Sequence, residues 1–151
     1  MRGGTTWLIV AGCLSLAASL LHIGCIIGGP DWYRFFGAGE PMALAAERGS
    51  WIPAAMTTTG IATILALWGA YAFAGAGLIR PLPLMRTGLV AISAIYLARG
   101  SFVFAPAAFG RPDLTPGFMV WSSLIVLAIG LTYAIGTWRA WPALKRKVAF
   151  R

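Results

Sequence analysis

The chain has 151 residues, enough for one domain, and 59% of them are apolar while 11% are charged. Soluble proteins are about 45–50% apolar and about 25% charged, so these fractions and a mean hydropathy of +0.79 indicate an integral membrane protein. The formal charge of +8 lies at the ends of apolar runs rather than on a polar face, which argues against a nucleic-acid partner.

Four apolar runs are each about as long as the ~20 residues that a helix needs to cross a bilayer. Lipid admits only helices or closed barrels, and these runs do not alternate as barrel strands do. The sequence therefore predicts an all-α fold, a four-transmembrane-helix bundle forming a single domain over residues 1–151. The first run is too long for a signal peptide and is expected to be a retained span. The predicted spans are 5–27, 52–79, 87–104 and 118–138.

The connection between the first two spans, residues 28–51, is the longest stretch that is not plainly a span. It holds three of the four acidic residues of the chain, and Pro41–Arg48 is predicted to form a short helix because Pro opens it and Gly49 follows it. We expect this loop to be the wall or lid of any site.

Positive charge is distributed unequally between the two sides of the predicted bundle. One side carries eight cations and no acid, and the other carries four cations and all four acids. The positive-inside rule predicts that both termini are cytoplasmic and that the long loop faces outward. This pattern is typical of a multi-pass protein of the bacterial inner membrane. The eight cations are Arg2, Arg80, Arg86, Arg139, Lys145, Arg146, Lys147 and Arg151.

Two polar residues within the spans are candidates for a site, because ionisable groups inside a membrane are often functional. His22 lies on a small, weakly polar face of the first span, where it could be satisfied by a neighbouring hydroxyl or could transfer a proton, bind a metal or contact a ligand. Arg99 interrupts the third span, and Tyr96 lies on the same face three residues earlier. Arg99 could form an ion pair with Glu40, Glu47 or Asp113, or it could bind an anionic headgroup. The candidate ligand-binding set is His22, Arg34, Glu40, Glu47, Tyr96 and Arg99.

The sequence provides no pattern for a metal or a cofactor. Cys13 and Cys25 lie about 18 Å apart on one helix and cannot form a disulfide bond with each other. His22 is the only histidine, so a haem held by two histidines is excluded within one chain. No catalytic residue can be assigned.

Small residues at four-residue spacing should let helix backbones approach closely. We expect most of them to pack within the bundle, with a dimer seam as the alternative. The sets are Gly24 and Gly28, Ala70 and Ala74, Ala72 and Ala76, and Ala91, Ala94 and Ala98.

Several short motifs together resemble a group of small four-helix bacterial membrane proteins without an assigned activity. The resemblance would cover most of the chain, and it implies the fold but no catalytic residue. The motifs are Trp32-Tyr-Arg-Phe-Phe-Gly-Ala-Gly-Glu40, Gly49-Ser50, Pro53, Trp68-Gly-Ala-Tyr71 and Ile95-Tyr-Leu-Ala-Arg-Gly100.

Three functions are compatible with this pattern. The first is binding or transport of a small amphiphile, such as a lipid or quinone headgroup, in a pocket open to the outer side. The second is a membrane enzyme in which His22 and Glu40 act as acid and base. The third is a structural subunit of a homo-oligomer or a larger membrane complex. Membrane lipids are expected partners in each case.

Overall fold

A computed structural model describes residues 2–105, 108 and 114–149, and every regular element in these ranges is helical. Within these ranges, three helices are long and apolar enough to cross a membrane, and this indicates a membrane protein. They cover Gly3–Gly28, Trp51–Ala76 and Pro116–Leu144. The elements are α1 (Arg2–Gly28), α2 (Pro30–Phe35), α3 (Glu40–Glu47), α4 (Trp51–Ala76), α5 (Met85–Gly100), a 3₁₀ turn (Ser101–Val103) and α6 (Pro116–Ala149).

The third predicted span is shorter than the others. Helix α5 has 16 residues, which corresponds to about 24 Å, and it continues into the 3₁₀ turn rather than as an α-helix to residue 104. The four-span count is therefore still a prediction. The second span ends at Ala76 instead of residue 79 because Gly77 adopts a left-handed conformation that closes the helix.

The long helices form two antiparallel pairs, α1 with α4 and α5 with α6. Glycines let the backbones approach closely within each pair. Gly69 of α4 packs against the backbone of Gly12, and a methyl group at Gly100 would lie 2.5 Å from the Cα atom of Leu127. Gly130 of α6 likewise packs against the backbone of Leu97.

The two pairs meet near the end of the bundle that holds the start of α1, the end of α6 and the connection between α4 and α5, which we call the terminal end. Leu8 of α1 packs against Gly136 of α6, and Tyr71 of α4 packs against Gly88 of α5. The Tyr71 hydroxyl also donates a hydrogen bond to the carbonyl oxygen of Pro83. The opposite end, which carries α2 and α3, is called the loop end.

Two of the small-residue sets do not pack against another long helix within the bundle, and a dimer seam at the exposed alanines of α5 stays a prediction. Gly24 and Gly28 form a notch on α1, and this notch contacts the Trp32 side chain rather than a second long helix. A methyl group at Gly28 would lie 2.2 Å from the Cγ atom of Trp32. Trp32 of α2 fills this notch and ties the loop to α1. The alanines at 91, 94 and 98 are exposed on α5, whereas Ala72 and Ala74 are fully buried, as expected.

Candidate functional site

A cavity of about 740 Å³ lies between the two helix pairs, toward the loop end. Its volume is within the range of about 300–1,000 Å³ that is usual for small-molecule sites. All four long helices and the first loop contribute to its wall. The lining residues used below are His22, Phe36, Gly37, Trp68, Tyr96, Arg99, Phe118, Trp121 and Ser122, and most of the remaining wall is aliphatic.

Aromatic rings close the cavity on the side of the terminal end. The Trp68 and Tyr96 rings meet edge to face with centroids 4.9 Å apart, which joins α4 to α5. Tyr96 then stacks on Tyr133 of α6 at 5.4 Å. Tyr133 is fully buried behind Tyr96 and does not line the cavity. The rings therefore form a floor that bridges three helices.

Ser15 of α1 joins this floor through its hydroxyl. Its Oγ atom lies 3.0 Å from the Tyr96 hydroxyl and 2.8 Å from the Tyr133 hydroxyl. Ser15 and Tyr133 have no exposed surface. A polar cluster buried in this way is stable only when its members satisfy one another. These hydrogen bonds connect both helix pairs at the base of the cavity.

His22, which the sequence predicted as a candidate site residue, lines the cavity from α1. Its Nδ1 atom is 2.7 Å from the carbonyl oxygen of Ala18, one turn earlier. Because a carbonyl oxygen can only accept, Nδ1 carries a proton and donates it. In the neutral ring Nε2 is then an acceptor. The histidine is thus partly satisfied by its own helix and keeps one acceptor atom.

Arg99 lines the cavity from α5 and is oriented by hydroxyl groups of α6. Its Nη1 atom donates to Ser123 Oγ at 2.8 Å, and its Nη2 atom makes a longer contact of 3.4 Å with Ser122 Oγ. Ser123 is fully buried, whereas Ser122 also lines the cavity. These contacts hold the guanidinium group at the cavity wall.

Arg34, Glu40 and Glu47 do not line the cavity and instead form an ion cluster in the loop. Arg34 donates two hydrogen bonds of 2.9 Å to Glu40, and its Nη1 atom lies 2.7 Å from Glu47 and 3.4 Å from Asp31. The Arg34 hydrogen bonds lower the pKa of the Glu40 carboxyl, and the two glutamates raise the pKa of Arg34. The cluster ties α2 to α3 at the surface.

This ion cluster changes the expectation for Arg99. Two of its three candidate partners, Glu40 and Glu47, pair with Arg34 instead. The third, Asp113, lies outside the described residues, as does Arg111. The six candidate residues therefore separate into two groups, with His22, Tyr96 and Arg99 at the cavity and Arg34, Glu40 and Glu47 in the loop beside it.

The first loop covers the loop end of the cavity through Phe36 and Gly37. Gly37 has a φ of +75°, and a methyl group there would lie 2.2 Å from the Phe118 ring of α6. Phe118 packs edge to face on Trp121 with centroids 5.0 Å apart. The cover thus reaches from α1 across to α6, and Gly37 provides both the conformation and the space for that contact.

Sequence reasoning did not identify Trp68, Phe118 and Trp121 as lining residues. In a chain this apolar, the sequence does not distinguish an aromatic side chain that faces lipid from one that packs in the core or lines a cavity. The three-residue spacing of Phe118 and Trp121 was the available signal, since it places both rings on one face of a helix.

Among the described residues, no group of three or more His, Cys, Asp or Glu side chains could hold a metal ion. Comparison with known proteins adds no assignment: no family model matches the chain, and no curated protein or solved structure is significantly similar to it.

Proposed function

We propose that this chain is a bacterial inner-membrane protein that binds, or helps to transport, a small amphiphile in the cavity between its two helix pairs. The observation that carries this proposal is the combination of a mostly aliphatic and aromatic cavity with four polar side chains on its wall, those of His22, Tyr96, Arg99 and Ser122. A ligand with a polar head and an apolar body matches such a lining.

The proposed topology has four spans, with the terminal end in the cytoplasm and the loop end outside. Helix α5 and the 3₁₀ turn together measure about 30 Å, which equals the thickness of the hydrocarbon core. The cations of the terminal end support this orientation. The cavity and its cover then face the outer leaflet.

The geometry supports binding better than acid–base catalysis by His22 and Glu40. Both carboxylate oxygens of Glu40 accept hydrogen bonds from Arg34, and Glu40 is outside the cavity lining. The lowered pKa of Glu40 keeps it ionised and makes it a weak base. The two residues therefore do not share a space in which one substrate could contact both.

A cavity-filling substitution tests the proposal. Ala18 lines the cavity, so Ala18→Trp should fill part of its volume, whereas Ala94→Trp places the same ring on the exposed face of α5. Native mass spectrometry of protein purified in mild detergent would measure the bound small molecules. We expect a bound amphiphile in the wild type and in Ala94→Trp, and its loss in Ala18→Trp.

Equal occupancy in both variants would place the amphiphile outside the cavity and would contradict the proposal. A wild-type protein that carries no small molecule, but a stoichiometric protein partner, would also contradict it and would support the structural-subunit function.

A further inference from the structure

His22 lies within the first span and has one ring nitrogen that the described part of the protein does not use. The residue is six positions before the end of α1, about 9 Å from the loop end of that helix. Its Nδ1 atom is 2.7 Å from the carbonyl oxygen of Ala18. No described residue forms a hydrogen bond with Nε2, and this atom is accessible rather than fully buried. A ligand can therefore reach it.

The bond to Ala18 determines which nitrogen carries the proton. A carbonyl oxygen only accepts, so Nδ1 is the protonated nitrogen, and Nε2 of the neutral ring is an acceptor on a residue that lines the cavity. A carboxylate or a quinone presents only acceptor oxygens, which cannot form a hydrogen bond with Nε2. The ring therefore selects a headgroup that donates an O–H or N–H group.

The other hydroxyl groups of the cavity wall have partners elsewhere. The Ser122 hydroxyl donates to the carbonyl oxygen of Met119 at 3.4 Å, and the Tyr96 hydroxyl lies 3.0 Å from Ser15 Oγ. A ligand that covers Nε2 without donating to it would leave a polar atom unpaired in an apolar space, which lowers affinity by about 5–150-fold. A ligand with a donor avoids this loss.

The lining of the cavity favours an uncharged donor. None of the described residues that line it is acidic, and most of the wall is aliphatic or aromatic. An ammonium headgroup would lose its hydration there without gaining a carboxylate partner. A hydroxyl or an amide group loses much less when it leaves water.

We propose that the bound amphiphile has an uncharged headgroup whose O–H or N–H group donates a hydrogen bond to His22 Nε2, while its chain contacts the apolar wall. This inference rests on the proposed function and assigns its ligand class, a lipid with a hydroxyl or an amide headgroup. His22 is the specificity-determining residue, and the Ala18 carbonyl sets the tautomer that accepts.

The test compares three molecules of matched chain length and different heads. Hexadecanol and palmitamide each have a donor, whereas hexadecyl methyl ether keeps the oxygen of hexadecanol but has no O–H group. Tritiated forms of the three are bound separately to the purified full-length protein in mild detergent, and their dissociation constants are compared. We expect hexadecanol, palmitamide or both to bind at least about fivefold more tightly than the ether.

Variants assign this preference to His22. The measured quantity is the affinity of the tighter donor divided by that of the ether, because losses common to both ligands cancel in this ratio. His22→Phe keeps a ring of similar size but removes Nε2, so the ratio should fall by about fivefold or more. His22→Gln should keep most of the ratio, because its amide oxygen can accept.

Thr57→Val is the matched control and should leave the ratio unchanged. Thr57 is six positions from the loop end of α4, but it is exposed, does not line the cavity, and donates its hydroxyl to the carbonyl oxygen of Pro53. A melting temperature close to that of the wild type shows that each variant is folded. His22→Leu replaces His22→Phe if that variant does not fold.

Each outcome decides one question. Tighter binding of hexadecanol would identify a hydroxyl headgroup, and tighter binding of palmitamide an amide. A ratio in His22→Phe equal to that of the wild type would overturn the donor assignment but leave amphiphile binding intact, and so would tighter binding of the ether by the wild type. Binding of none of the three would overturn the proposed function itself.

Discussion

Ser15 is a small residue in an apolar helix, yet its hydroxyl contacts tyrosines from two other helices at the base of the cavity. Without Ser15, the hydroxyls of Tyr96 and Tyr133 would lose the partner that they share. The Ser15 hydroxyl is therefore a contact point of three helices, although the residue is small. It joins α1 to α5 and α6 where the two helix pairs begin to separate.

We expect Ser15→Ala to lower the free energy of unfolding by about 1–3 kcal/mol, because it leaves buried hydroxyl groups unsatisfied. Ser93→Ala is the matched control. Ser93 is also buried, but its Oγ atom donates to the carbonyl of Leu89 in its own helix, so its loss should have a smaller effect. Unfolding in mixed micelles with increasing SDS measures both. Equal losses for the two variants would contradict the bridging role of Ser15.

At the scale of elements, the first loop is a two-helix cover held by two kinds of contact. Trp32 packs into the glycine notch of α1, and Gly37 packs against Phe118 of α6. Arg34 joins α2 to α3 through Glu40 and Glu47, but these side chains are solvent-exposed and contribute little to stability. The aromatic contacts at the two ends of the cover therefore matter more than the ion cluster.

We expect Gly37→Ala to release the cover, because the new methyl group would enter the Phe118 ring and because φ is +75°. Gly49→Ala is a close control, since Gly49 also has a positive φ, +81°, but open space around it. A left-handed conformation costs a non-glycine residue about 1–2 kcal/mol, which both variants share. Hydrogen exchange across residues 30–47 should be faster in Gly37→Ala than in Gly49→Ala.

Equal exchange in the two variants would contradict the contact between the cover and α6. Slower exchange in Gly37→Ala would do so as well.

The sequence predicted some elements well and others poorly, for physical reasons. Apolar run length located the four long helices, and Pro41 with Gly49 located α3 to within one residue. The helix α2 was missed although Pro30 and Asp31 provide a start signal, because six residues give no measurable periodicity. The pairing of Arg34 with both glutamates was also missed. It depends on how α2 and α3 fold back on each other, which spacing along the chain does not specify.

At the scale of the whole molecule, two antiparallel helix pairs are in contact near one end and flank a partly open cavity toward the other. Gly88 and Gly136 allow the close contacts between the two pairs near the terminal end, and the tyrosine cluster is the last of these contacts before the cavity. Small-residue patterns in the sequence indicated that helices pack closely, but not which faces do so. The exposed alanines of α5 illustrate this, since their spacing is the same whether they face a helix or lipid.

The proposed topology predicts on which side of the membrane each end of the bundle lies. A C-terminal green fluorescent protein fusion should fluoresce, because it folds in the cytoplasm, and alkaline phosphatase inserted after Gly49 should be active, because it folds in the periplasm. The excess of cations at the terminal end is the physical reason. The opposite pair of results would reverse the orientation. An inactive insertion with a fluorescent C-terminus would contradict the four-span arrangement.

The central claim is that an amphiphile occupies the space between the two helix pairs. Photolabelling with a hexadecanol analogue that carries a diazirine in its chain tests it most directly, with adducts located by peptide mass spectrometry. We expect adducts on buried lining residues such as Leu65 and Ile129, and their loss in Ala18→Trp. Adducts confined to exposed residues outside the cavity, such as Leu20, Ile27 and Leu131, and unchanged in Ala18→Trp, would contradict the claim.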